Sequence, residues 1–418
     1  MQLPAERRRL GLRIASAVLA GATVVALAPT AMAAEPVRTG VEQSSTAPER
    51  GLQESLDALL KAGGSSAGLA EVRDHGRAVW RGAAGTGDLD SGTPARADGR
   101  FRIGSVTKTF VSTVVLQLVG EGRVELDAPI GRYLPGVVRK GDAITVRQLL
   151  NHTSGLFNYT SDPGFFPDPD DEAGIRRWLD EGRWTTHSAQ QLVDIANRHE
   201  PYFPPGTDWK YSNTNYIVAG MLIEKVTGRT WNEEVERRII RPLGLRDTSM
   251  PTTAGSVPGR HAHGYFKLSS GLVDITKLNP SMAGAAGAGI SSAADLTRFN
   301  AALLGGRLLG PAQLREMKQT VDAENGTRYG LGLMQMSSAC GDFWGHTGGI
   351  PGYSTVLIGN ADGTRQVALS QNPYDRPADP AAAGRAMLEF LNKAGCGGGG
   401  DATAKSAGAF VVQPYALH

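Results

Sequence analysis

The feature that most constrains this chain is where its two residue periodicities fall. Strand-like alternation lies near both ends, and helical periodicity fills the middle. Residues 67–72 and 78–80 read as short strands around the turn-like Asp74-His75-Gly76. Far along the chain, 353–359 and 365–370 read as strands joined by Asn360-Ala361-Asp362-Gly363, a strong hairpin signal. Hairpins of this kind build an antiparallel sheet, not a β-α-β one. Helices are expected over 51–62, with Leu52, Leu56, Leu59 and Leu60 on one side, and over 105–118, stopped by Gly120-Glu121-Gly122. Further helices are expected over 145–150, 175–179, 189–196, 216–226, 231–240, 295–304, 311–317 and 380–391. The pattern predicts one α/β domain over 51–396: a mainly antiparallel sheet with flanking helices, interrupted by a helical insertion at roughly 125–300.

The length of 418 residues suffices for a large buried core. Lys plus Arg number 43 and Asp plus Glu 41, giving a net charge of +2, which lacks the concentrated basic excess of a nucleic-acid surface. The first residues have the build of an export signal. Arg7, Arg8, Arg9 and Arg13 form a basic stretch, residues 14–27 an apolar run, and Ala31-Met32-Ala33 a small-residue cleavage site, placing the cut near Ala33/Ala34. Both the general and the twin-arginine export routes fit. Residues 1–33 then read as a signal peptide, 34–50 as a mobile leader and 397–418 as a disordered tail. The protein is expected to be secreted, with no stable membrane insertion after processing, and monomeric. Cys340 and Cys396 are the two cysteines; in an oxidising space they either bridge or remain free thiols, and neither has the C-x-x-C spacing of a redox or zinc site.

The chemistry concentrates in Arg102-Ile103-Gly104-Ser105-Val106-Thr107-Lys108-Thr109. Ser105 and Lys108 are three apart at a helix start, so they share one face. A serine hydroxyl needs a base, and a lysine amine serves once desolvation lowers its pKa. The Ser-x-x-Lys element is followed by Tyr211-Ser212-Asn213 and then by His346-Thr347-Gly348.

Taken in that order, Ser-x-x-Lys, Tyr-x-Asn and His-Thr-Gly make the chain resemble the serine β-lactamase and D-alanyl-D-alanine carboxypeptidase superfamily, the penicillin-recognising serine hydrolases. It looks most like the secreted actinomycete D,D-peptidases. The resemblance runs from about Gly51 to Cys396 and includes Ile144-Thr145-Val146-Arg147-Gln148 and Val218-Ala219-Gly220-Met221-Leu222-Ile223-Glu224-Lys225. It implies a β-lactamase-like sandwich and an acyl-enzyme on Ser105, with no cofactor and no metal. It implies that Lys108 and Tyr211 share proton transfer, that Asn213 orients Lys108, and that His346 polarises the Tyr211 hydroxyl. The amide groups of Ser105 and Gly349 would form the oxyanion hole, Thr347 and Gly348 would line the substrate strand, and Cys340 and Cys396 would form a disulfide. The implied partners are a D-Ala-terminated peptide, or an ester or amide, with β-lactams as covalent ligands. A β-lactamase or esterase on the same fold, and a penicillin-binding sensor that stays acylated, are the alternatives.

Three departures bear on substrate. Peptidases that bind a terminal carboxylate often place a cation on the strand before His-Thr-Gly, and Leu331-Gly332-Leu333-Met334-Gln335-Met336 has none. Gly349 stands where the resembled peptidases carry a hydroxyl residue, and Met282 where they carry tryptophan. The expectation is a shifted leaving group. Elsewhere, His261 and His263 lack a third metal ligand, and Asp168, Asp170, Asp171 and Glu172 read as a solvated acidic loop. Phe165, Phe166, Trp178 and Trp184 either line a cleft or pack the insertion.

Overall fold

The structure, a computed structural model, describes residues 46–397 apart from Pro169 and Ala339. The expected signal peptide, residues 34–45 of the expected leader and residues 398–418 of the expected tail lie outside the described residues.

Helix α1 (Ala47–Gly63) begins four residues before the expected start. Thr46 N–H donates to Glu49 Oε2 at 2.7 Å and Pro48 occupies the first turn. Capping chemistry thus starts the helix ahead of its apolar period, and residues 47–50 are helical rather than part of a leader. Strands β1 (Ser65–Asp74), β2 (Arg77–Asp88), β3 (Thr93–Pro94) and β4 (Arg100–Arg102) lead to α2 (Thr107–Gly120). The middle holds α3 (Val146–Leu150), α4 (Glu172–Asp180), α5 (Ala189–Asn197), α6 (Asn213–Thr227), α7 (Trp231–Val235), α8 (Arg241–Leu243), a hairpin of β5 (Tyr265–Leu268) and β6 (Gly271–Asp274), α9 (Gly284–Gly287) and β7 (Ile290–Ser292). After α10 (Ala293–Leu304) and α11 (Pro311–Met317) come β8 (Val321–Asp322), β9 (Arg328–Tyr329), β10 (Met334–Ser338), β11 (Gly341–Ile350), β12 (Tyr353–Asn360), β13 (Arg365–Pro373) and the closing helix α12 (Pro380–Cys396).

Nine strands form one antiparallel sheet in the order β3-β2-β1-β13-β12-β11-β10-β9-β8. The two chain ends meet where β1 pairs with β13. Alternation along the strands sorts side chains to two faces. Val356, Ile358, Val367 and Leu369 join Leu52, Leu56, Leu59, Phe390 and Leu391 beneath α1 and α12. Leu357 and Ala368, between them in sequence, join the larger core around α2, α6 and α10. Each such buried leucine contributes roughly 1.5–3 kcal/mol.

This is the β-lactamase-like architecture expected, a large antiparallel sheet with helices on both faces and a helix-rich middle. The differences are local. The helix expected over 231–240 changes to a π turn at Glu236–Ile240. The β5–β6 hairpin and strand β10 carry no long alternating run, so periodicity alone does not reveal them. Helix α10 packs on β1, β12 and β13, so it belongs to the sheet's flank. Cys340 and Cys396 are disulfide-bonded, tying the β10–β11 connection to the end of α12.

Candidate functional site

The Gly104–Val106 3-10 turn passes Ser105 into α2, and the turn is wedged against β11. Gly104 has φ +48°, and a Cβ there would lie 2.7 Å from the Gly349 carbonyl oxygen and 2.8 Å from its nitrogen. A Cβ on Gly348 would lie 2.0 Å from the Ile103 oxygen. Only glycine permits this approach of two backbones. Strand β10 pairs with β11 as far as Gly345, so beyond that point β11 is laddered on one side by β12 and flanked on the other by the Ser105 turn. Ser105, Gly349, Ile350, Asn213, Tyr159, Thr160, Ala283, Ala286 and Gly287 line a small cleft that opens to solvent.

Lys108 lies at the first turn of α2 and is fully buried. Its Nζ stands 2.9 Å from Ser105 Oγ, 2.7 Å from Asn213 Oδ1 and 2.8 Å from the Ala286 carbonyl. No carboxylate is among these partners. Burial therefore holds the amine well below the ordinary lysine pKa. An amide oxygen and a carbonyl only accept. A neutral amine satisfies both with its two hydrogens and turns its lone pair to the Ser105 hydroxyl.

Asn213, at the start of α6, is locked at each end. Its N–H donates to Asn158 Oδ1 at 3.0 Å and its Nδ2 to Thr160 Oγ1 at 3.2 Å, which leaves Oδ1 for Lys108. Tyr211 sits two residues earlier, its ring centroid 4.8 Å from Lys108 Nζ. Its hydroxyl is buried and makes no hydrogen bond of regular geometry. Burial pushes the phenol above its ordinary value, and the nearby Ser105 hydroxyl partly offsets that rise.

The sequence motifs thus converge: Ser105, Lys108, Tyr211 and Asn213 adjoin, with Thr347, Gly348 and Gly349 on the facing strand. His346 departs from the expected arrangement. Its Nδ1–H donates to the Thr347 carbonyl and its Nε2 accepts from Tyr329 OH at 2.8 Å. Both nitrogens are occupied, and the ring lies 6.5 Å from the Tyr211 ring. Its hydrogen-bond partner is Tyr329, not the Tyr211 hydroxyl. Burial lowers the His346 pKa to about 3, so the ring is neutral.

Sequence reasoning missed Tyr329, Tyr159, Thr160 and the Ala286 carbonyl. The polar Asn158-Tyr159-Thr160 within an aromatic stretch was a usable signal; a carbonyl contributed by alanine gives none. Arg102 is almost wholly buried and binds the carbonyls of Gly255, Thr276 and Leu278, pinning these three positions to β4. Phe165 packs edge-on to Tyr159, whereas Phe166 and Trp178 pack on each other and Trp184 is exposed beside Arg183. His261 stacks on His263, which pairs with Asp274. In the acidic loop, Asp171 caps α4 and Glu172 binds Arg176 and Ser269. Met334 puts its sulfur 3.8 Å from Thr347 Oγ1, so a thioether occupies the place beside the strand where a cation was sought.

A buried Ser-Lys pair beside a glycine-rich strand edge defines a serine hydrolase. Known proteins agree. Residues 52–392 match the Beta-lactamase family. The chain is 28% identical to penicillin-binding protein 4* of Bacillus subtilis over 73% of this chain and 68% of that protein. It is 32% identical to esterase EstB of Burkholderia gladioli over 52% of this chain and 55% of that protein. Among solved structures, a D-stereospecific amidohydrolase from Streptomyces sp. is 42% identical with a TM-score of 0.73, over 84% of this chain and 99% of that one. The D-amino acid amidase of Ochrobactrum anthropi, complexed with D-phenylalanine, is 28% identical with a TM-score of 0.72, over 83% and 99%. The chain belongs to the beta-lactamase family.

Proposed function

We propose that the protein hydrolyses amides or esters of D-configured amino acids and peptides with an uncharged leaving group, through an acyl-enzyme on Ser105. The carrying observation is the Lys108 amine, fully buried, 2.9 Å from Ser105 Oγ and with no carboxylate among its described hydrogen-bond partners. Lys108 takes the Ser105 proton as Oγ bonds to the substrate carbonyl carbon. The tetrahedral oxygen is held by the amide N–H groups of Ser105 and Gly349, a donor of this kind contributing roughly 3–4 kcal/mol. Collapse breaks the bond to the leaving group, which takes a proton from Tyr211 and Lys108. Water then attacks the ester, giving its proton to the same pair and returning Ser105.

The uncharged leaving group is supported by the cleft lining, which is uncharged among its described residues, and by Met334 beside Thr347. The D-configuration is supported by the names of the two amide hydrolases. The D-alanyl-D-alanine carboxypeptidase expected from sequence is the competing reading. Turnover of a D-Ala-D-Ala peptide is compared with that of its amide and methyl ester, with Ser105→Ala as blank. The amide or ester is expected to win; a strong preference for the free acid overturns the proposal in favour of the carboxypeptidase.

The proposed place of action is outside the cytoplasm. The basic and apolar start of the chain and the Cys340–Cys396 disulfide support it. Mass analysis of protein from the culture medium should give a mature start near Ala34; an intact start in the cell pellet contradicts it.

A further inference from the structure

We infer that His152 is a positioning residue for the Tyr211 phenol, acting through its ring face and a locked tautomer. The inference rests on the proposed reading of Tyr211 as a proton carrier. His152 lies in the turn after α3, is fully buried, and has φ +64°, a left-handed conformation that histidine adopts at a cost. The surroundings make use of it three times. The His152 carbonyl accepts from Lys210 N–H at 3.1 Å. Its Nδ1 accepts from Ser212 N–H at 3.2 Å and from Asn215 Nδ2 at 3.0 Å. The imidazole ring lies on the Tyr211 ring, 4.2 Å between centroids and tilted by 33°. One residue therefore grips the backbone on both sides of Tyr211 and the face of its ring.

Two N–H donors converge on Nδ1, so the proton of the neutral ring is on Nε2. Burial keeps His152 well below its ordinary pKa, so the ring stays neutral. Nε2 is buried and has no hydrogen-bond partner among the described residues. A strained backbone and an unsatisfied donor at one fully buried residue are two costs that packing alone does not require. The ring also meets Tyr329 edge-on at 4.8 Å, and Tyr329 donates to His346. His152 thus stands between the Tyr211 ring and the Tyr329–His346 pair, which share no bond with Tyr211.

The test is a double-mutant cycle of His152→Asn and Tyr211→Phe. Asparagine keeps an acceptor near the Nδ1 position and tolerates the left-handed backbone, but removes the ring face. Ser105 labelling by a fluorophosphonate, read by intact mass, first establishes the nucleophile, and kcat and KM are then measured on D-alanine p-nitroanilide. The expected result is a kcat about 10- to 100-fold lower in His152→Asn with KM held, the size of a misplaced proton carrier. In the Tyr211→Phe background the same change should have almost no further effect. Should His152→Asn not fold, Asn215→Ala removes one of the two donors that lock the ring and takes its place in the cycle. An unchanged kcat in the single variant, or full additivity in the double, overturns the inference. An unlabelled Ser105 or no turnover in the wild-type protein overturns the proposed function instead, and this inference with it.

Discussion

Lys108 Nζ stands 2.9 Å from Ser105 Oγ, and its two remaining partners, Asn213 Oδ1 and the Ala286 carbonyl, can only accept hydrogen bonds. The site is arranged for an amine that donates two hydrogen bonds to fixed acceptors and takes a proton from serine. Burial, with no carboxylate among its described hydrogen-bond partners, lowers the amine pKa towards that form.

That arrangement has a stability cost whose sign is fixed. The folded pKa of Lys108 lies below the ordinary 10.5. Between the two values the unfolded chain binds the extra proton, so stability rises with pH across that window. Replacing Lys108 by methionine removes the cost. Lys108→Met also leaves Asn213 Oδ1 and the Ala286 carbonyl without their donor, so the expected mark is the trend with pH. Its melting temperature should fall relative to wild type as pH rises from 7 to 10, while Ser105 acylation falls by about 10²–10⁴-fold. Thermal melts across pH and fluorophosphonate labelling check both halves. A melting difference that does not change with pH would count against a lowered Lys108 pKa.

Asn213 supplies a neutral oxygen 2.7 Å from the amine. Asn213→Asp puts a carboxylate there, which raises the lysine pKa by about 1–3 units. Activity at neutral pH should drop and recover as pH rises, moving the acid limb of kcat/KM to higher pH. An unshifted limb of reduced height would mean that the limb belongs to another group.

Met334 is the lever on leaving-group choice. Met334→Lys installs a cation beside Thr347, two residues along β11 from the cleft-lining Gly349. The ratio of kcat/KM for a D-Ala-D-Ala free acid to that for its amide is expected to rise by about 10-fold, near 1.4 kcal/mol of new carboxylate contact. An unchanged ratio would place the substrate's far end elsewhere.

Much of this was legible in the sequence, because some of the physics is local. Ser105 and Lys108 meet through helical spacing, and the Asn360-Ala361-Asp362-Gly363 turn joins β12 to β13 as its residue types require. Tyr211, Asn213 and Thr347 were legible through motif order. What was not legible depends on tertiary approach. The His346 ring binds Tyr329, a residue whose own neighbourhood, Arg328 to Gly330, carries no motif. Ala286 acts through a carbonyl, so its side chain announces nothing. His152 reads as the end of a helix until the fold brings Ser212 and Asn215 to its ring. The start of α1 was missed for a different reason: a capping pair, Thr46 and Glu49, precedes the first apolar residue.

The Cys340–Cys396 bond closes a loop of 56 residues between the β10–β11 connection and the end of α12. In the chain-entropy account such a link contributes about 4 kcal/mol. The double variant Cys340→Ser with Cys396→Ser is expected to lose stability of that order in urea melts while keeping kcat near wild type below the transition. A large loss of kcat in the folded variant would show that the link shapes the site.

The protonation state of Lys108 is the point on which the account turns, and it can be read directly. In protein labelled with ¹³C at lysine Cε, the Lys108 signal, assigned by its loss in Lys108→Met, is followed from pH 5 to pH 11. The account predicts that Lys108 loses its proton at a pH well below the ordinary lysine value of 10.5. A Lys108 signal that titrates at the ordinary lysine value of 10.5 would contradict it.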